Sequence, residues 1–373
     1  MAQQEKRSAL ALTLAGFFCL GIPISGNHWC FSVFVLPLEA EFGWTRSQIN
    51  LGEAPADPTD PQRPFFPTAW RWLTSRGGHA GYSIGMVSGG LVAPFWGRFL
   101  DRHGPRLTIA IAQAIVGAAW LLRSQARSLP VFYASFALAF LGLPGPVLSV
   151  PRALGAAFPA RKGTVIGFAT TGASVLSMIL VPAADFVIAG SGWPAACVMF
   201  ASTNAFALLV ALALFDVEHK PAPPRAGKGC CRGLCDGTFL LVATACNIGQ
   251  LSYAAAGGSL VPFLAESGLQ PSDAALLAGP VVAIPNILGK LGFGRLADSC
   301  LGPPFTFSIV FGVLALSLAL FALVASSTPL AADGSGGEEE ESSRLLLLGS
   351  GTVLFGCGYG AFIAVQHTVS LNA

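Results

Sequence analysis

A few polar residues stand in long apolar surroundings at spacings that can do chemistry. Lys290, in "IPNILGKLGFGRLAD", follows Asn286 by one helical turn, so a helix sets an ammonium and a neutral amide on one face. A charge in mid-bilayer costs on the order of 2.5–3.5 kcal/mol on insertion scales, so this lysine needs a reason. As a compact point charge it suits a single carboxylate facing a central cavity. The bland alternative is that it snorkels to an interface about 6 Å away at 1.5 Å per residue. Arg152, in "SVPRALG", is a second cation inside an apolar run, placed to line a cavity or to snorkel. His28 and Trp29, in "SGNHWCF", set a group that titrates near neutrality beside an amphipathic ring. These two either meet substrate or simply hydrogen-bond at an outer interface.

A second group concentrates charge. "GRFLDRHGPR" (97–106) follows one apolar run, and "GRLAD" (294–298) follows another. Asp101 is an acceptor that can engage the unpaired N–H groups of a helix start. Arg102 and Arg106 can pair with carboxylates or lipid phosphates, while Gly97 and Gly104 permit close approach and a tight turn. Gly294, Arg295 and Asp298 repeat the pattern. Such a cluster suits a gate, against the plainer reading of a positively charged loop. Soluble-enzyme signatures are missing: there is no phosphate loop and no HExxH. The cysteines of "CCRGLC" (Cys230, Cys231, Cys235) have no histidine pair at zinc spacing and read as ordinary thiols. No metal, cofactor or nucleic-acid partner is expected.

The elements that must hold these residues follow from composition. Of 373 residues 53% are hydrophobic and 11% charged, and mean hydropathy is +0.64. Soluble domains carry roughly 25% charged residues. Ten apolar runs approach or exceed the length of a bilayer span: 9–36, 82–96, 107–123, 130–153, 163–188, 193–215, 239–264, 274–293, 305–325 and 345–369. The expectation is an all-α polytopic membrane protein. With the N-terminus inside, twelve of the 21 Lys and Arg fall on inner segments and seven, Arg123 among them, on outer ones. That balance favours a cytoplasmic N-terminus. The acidic run 338–341 then falls in an outer loop.

Six runs precede the Pro- and Gly-rich stretch 216–238 and four follow it. The expected organisation is an N-terminal six-helix bundle (1–215), a cytoplasmic linker (216–238) and a partial second bundle (239–373). "PLEAEFGWTRS" (37–47) aligns with "PFLAESGLQPS" (262–272), as the two charged motifs align, so the halves read as repeats. Against that repeat the first half carries a surplus at 53–81, rich in proline and charge. It is expected to form an outer loop clear of the bundle.

"GRFLDRHGPR" resembles the loop motif between the second and third helices of the major facilitator superfamily, and "GRLAD" looks like its repeat between helices eight and nine. "SVFVLPLEAEFGWTRSQI" (32–49), "AAFPARKGTVIGFATTGASV" (156–175), "SGWPAACV" (191–198) and "GTVLFGCGYGAFIAV" (351–365) resemble its monocarboxylate transporter and oxalate–formate antiporter branch. The resemblance implies a major facilitator fold of two pseudo-repeated six-helix bundles, the second incomplete. It also implies alternating-access transport of a small monocarboxylate or related organic anion, with protons as a candidate co-substrate. In that branch an arginine often stands at the Lys290 position and an aspartate at the Asn286 position. A proton-carrying Asp–Arg pair is therefore not available here. The family's Asp101-type carboxylate faces the start of an eleventh helix, which this chain lacks, so Asp101 is expected without a partner. Asp298 is expected near the helix start at Gly163 and Thr164. The reading of a different class is a non-transporting membrane sensor or an inactive fragment.

Overall fold

Within a lipid bilayer no water satisfies backbone N–H and C=O groups, so a chain this apolar must pair them along its own helices. The computed structural model describes residues 2–44, 80–215, 237–257, 260, 264, 280–326 and 338–372, and every element among them is helical. In chain order these are α1 (Ala2–Ile24), a π-turn (Ser25–Trp29), a 3-10 turn (Cys30–Phe34), α2 (Val35–Phe42), α3 (Ala80–Ser124), α4 (Leu129–Gly142) and α5 (Pro144–Ala157). They continue with a short 3-10 turn (Pro159–Arg161), α6 (Lys162–Ser191), α7 (Trp193–Leu214), α8 (Gly237–Gly257), α9 (Pro280–Ala297), α10 (Gly302–Ser326) and α11 (Glu338–Asn372). Seven stretches among the described residues are long and apolar enough to cross a membrane.

α3 holds two crossings. Its 45 residues would reach about 68 Å at 1.5 Å per residue, more than twice a hydrocarbon core of about 30 Å. Gly104, at φ 79° and ψ 172°, turns the chain back on itself. Trp96 before the turn and Ala112 after it both reach the start of α5: each lies against the space a side chain on Gly145 would fill. α4 and α5 form one span, Leu129–Ala157, joined where Pro144 and Pro146 lack the N–H that would continue the ladder.

By its internal contacts the chain divides into two units, one holding α1–α7 and the other α8–α11. In the first, α3 packs on α4 and α7, and α1 packs on α6 and α7. Trp120, Phe132, Phe136 and Phe200 fill one core cluster, and Leu20, Ile109, Leu154 and Phe215 belong to another. Small residues let backbones meet where lipid offers no hydrophobic drive between helices. A side chain on Gly172 of α6 would collide with the carbonyl of Phe17 in α1. In the second unit α9 and α10 both pack on α11. Leu91, Phe186, Leu241 and Leu346 are more than two-thirds exposed, as lipid-facing positions should be.

Three expectations need correcting. The acidic run at 338–341 opens α11 rather than lying in a loop, where four carboxylates suit the positive end of the helix dipole. Arg123, placed on an outer segment, is 1% exposed in the last turn of α3. Of the surplus 53–81, Ala80 and Gly81 already belong to α3, and 53–79 lie outside the described residues, as do 216–236 with their cysteines.

Candidate functional site

The loop motif is built by the α3 turn. Gly104 takes a backbone conformation that side chains with a Cβ avoid, which explains the glycine. Pro105 starts the second limb, and Thr108 Oγ donates to the Gly104 carbonyl at 2.6 Å. The second copy repeats this chemistry: Gly302 has φ 71°, Pro303 follows, and Thr306 Oγ donates to the Gly302 carbonyl at 2.8 Å. Gly97 does not serve a close approach, since no heavy atom lies within 4 Å of where its Cβ would stand. Arg102 and Arg106 are exposed at the turn, as is Arg295 in the second copy; Gly294 is buried. Asp298 follows α9, its N–H donating to the Arg295 carbonyl at 3.2 Å.

Asp101 has a partner after all. Arg152 Nη1, from α5, donates to Asp101 Oδ1 at 2.5 Å, with the two side chains 48% and 44% exposed. The carboxylate that sequence reasoning left without a partner is held inside its own unit. The arginine assigned to a cavity or to snorkelling spends its guanidinium on that bond. No spacing rule joins positions 101 and 152; only the packing of α5 on α3 does.

Helix α1 ends in the π-turn that carries His28. Ser25 Oγ donates to the Ala173 carbonyl of α6 at 2.8 Å, and buried Asn27 Nδ2 donates to the Pro23 carbonyl at 2.9 Å. The His28 ring meets Phe140 of α4 edge-on at 5.4 Å. The side chain of Trp29 lies outside the described residues. π-turns inside helices recur at functional sites because they re-aim side chains at the cost of one ladder bond.

Lys290 and Asn286 lie on α9 and are 4% and 3% exposed. A lysine so covered does not snorkel to an exposed interface. The helix there meets α11 backbone to backbone. A Cβ on Gly289 would overlap the Cys357 carbonyl, and one on Gly360 would overlap the carbonyl of Asn286. Gly289 therefore admits the backbone of α11, whereas Gly292 has nothing within 4 Å. Asn247 of α8 turns back to its own helix, donating to the Ala243 carbonyl at 2.8 Å. Among the described residues no cluster of His, Cys, Asp and Glu has metal-site geometry.

Two contacts were not foreseen. Trp193 Nε1 donates to Glu41 Oε2 at 2.5 Å, so "SGWPAACV" and "PLEAEFGWTRS" meet at one end of the first unit. Arg123 lies at the same end. The signal was present as Trp120 and Arg123 at i and i+3, a spacing that stacks a cation on a ring.

The family model of the Major Facilitator Superfamily matches residues 13–373. Human monocarboxylate transporter 11 is 29% identical over 312 residues, covering 72% of this chain and 63% of that protein. The oxalate:formate antiporter of Oxalobacter formigenes is 27% identical over 244 residues, covering 62% of this chain and 57% of its own length. The chain thus spans about six-tenths of the length of these relatives. The proton:xylose symporter XylE, solved with 6-bromo-6-deoxy-D-glucose, superposes with a TM-score of 0.52 at 14% identity. That match covers 98% of this chain and 86% of XylE, and it bears on the fold alone.

Proposed function

Because this chain belongs to the major facilitator superfamily, we propose that it is a secondary active transporter of a small monocarboxylate or related organic anion, working by alternating access. The observation that carries the reading is Lys290, an ammonium 4% exposed in α9 with Asn286 one turn earlier. A cation within an apolar span is costly and rare, and binding a carboxylate substrate during each cycle gives it a purpose. The chain's similarity to a monocarboxylate transporter and to an oxalate:formate antiporter supports this substrate class. Asn286 cannot carry a proton, so exchange of one anion for another is the favoured coupling, and His28 is the candidate proton carrier if symport operates instead. The loop motifs act as gates on the side of the membrane that holds the N-terminus, the cytoplasmic side. The host membrane is the plasma membrane or that of an organelle.

The test is uptake into proteoliposomes loaded with unlabelled formate, oxalate or lactate, using the labelled anion outside. Saturable counterflow is expected, and Lys290→Ala should cut it about tenfold or more, the worth of one charge-assisted hydrogen bond. Lys290→Arg should retain part of it. Uptake unchanged in correctly inserted Lys290→Ala would end the claim.

A further inference from the structure

Arg123 carries a second, unassigned positive centre, in the first unit and far along α3 from the loop motif. Its side chain is 1% exposed. The guanidinium carbon lies 4.2 Å from the Trp120 ring centroid and 4.0 Å from that of Phe136, so the rings cover the cation. Nε donates to Ser135 Oγ at 3.2 Å, and that hydroxyl passes its own proton to the Phe132 carbonyl at 2.6 Å. Nη1 and Nη2 are both buried and have no acceptor. Glu41, a carboxylate at this end of the unit, accepts from Trp193. Cys197, fully buried, is close enough to feel the charge but brings only a thiol.

Aromatic rings compensate a guanidinium through their electron-rich faces, yet they give its N–H edges nothing to donate to. A charge buried with two unanswered NH2 groups is among the costliest arrangements a fold can hold. With Nε committed to Ser135, the free edge is the Nη1–Nη2 fork, whose spacing matches the two oxygens of a carboxylate. Protein covers both nitrogens, so an occupant has to be small enough to enter as Trp120 and Phe136 give way. We propose that Arg123 is the centre of a binding site for one small monovalent anion, a formate-sized carboxylate or a halide, inside the first unit and separate from Lys290. The proposal does not rest on the carboxylate-transport reading.

The experiment is thermal unfolding of the purified full chain, followed by labelling of the buried thiols Cys19, Cys30 and Cys197. Sodium gluconate, too large for the cage, is replaced by formate or by chloride at constant ionic strength. Saturable stabilisation of roughly 3 °C or more at concentrations well above Kd is expected. Preference for formate identifies the two-oxygen fork, and equal response to chloride identifies a simple charge site. Arg123→Gln should remove the anion dependence, while Lys290→Ala should keep it, which separates this site from the transport reading. If Arg123→Gln does not fold, Ser135→Ala leaves the charge but frees the fork to rotate, and it should weaken formate more than chloride. A wild-type melting temperature equal in gluconate, formate and chloride would overturn the proposal, leaving a structural arginine satisfied by water. An anion shift that survives in folded Arg123→Gln would overturn it equally.

Discussion

The turn at Gly104 and the turn at Gly302 are two solutions to one problem: reversing a chain at the membrane surface after an apolar helix. Both use a positive-φ glycine, a following proline and a threonine that returns a hydrogen bond to the glycine carbonyl. They differ in what the preceding aspartate finds. Asp101 is held by Arg152 across its own unit. In the second unit, α11, the repeat counterpart of the α4–α5 span, carries no lysine or arginine after Arg344. A cation in the place of Arg152 is therefore absent from that stretch of α11, and the partner of Asp298 comes from elsewhere. The backbone device repeats while the electrostatics diverge, so the turn is set by local sequence and the latch by tertiary packing. The tightest helix crossings of the two units are alike: Gly172 meets the Phe17 carbonyl in the first unit, and Gly289 and Gly360 meet backbone carbonyls in the second, whereas Gly85 of α3 is covered by the Phe140 ring. A ring can tilt away; a carbonyl in a helix cannot.

The largest expected effect tests that last contrast. Gly360→Leu must drive α9 and α11 apart at Asn286, and a loss of about 3 kcal/mol or more is expected, seen as aggregation or a collapsed melting temperature. Gly97→Ala, with open space around it, should be neutral or slightly stabilising. Equal tolerance at the two positions would break the contrast. Next come the turns: Gly104→Ala should cost about 1–3 kcal/mol because φ 79° with ψ 172° is a conformation open almost only to glycine. Gly302→Ala should cost a similar amount, and a large disparity in thermal shift would mean the turns are not equivalent. Thr108→Val and Thr306→Val should each cost about 1 kcal/mol by loss of one hydroxyl bond. The smallest effect is the Asp101–Arg152 coupling. With both side chains about half exposed, a double-mutant cycle with Asp101→Asn and Arg152→Gln should give about 0.2–1 kcal/mol, fading at high salt. A coupling unchanged by salt would show that the pair is shielded from water and matters more than its exposure suggests.

Much of this architecture is legible without coordinates. Apolar runs of span length report helices because lipid leaves the backbone no other partner. The paired Gly-Pro-x-x-Thr stretches and the two charged motifs expose the repeat, since a tight reversal needs particular residue types at particular offsets. Lys290 is conspicuous because a charge in an apolar run is rare for energetic reasons. Tertiary structure alone decided what answers each charge. Asp101 and Arg152 lie on different helices, and their meeting depends on how α5 packs against the first limb of α3. Arg123 read as a loop cation because it stands at the end of a run, yet the rings of Trp120 and Phe136 close over it. Gly289 and Gly292 look alike in one apolar run, yet the backbone of α11 closes on Gly289 alone of the two. Helix formation and turns depend on neighbours in the chain, which a sequence displays. Charge compensation and close packing depend on neighbours in space, which a sequence fixes only through the fold.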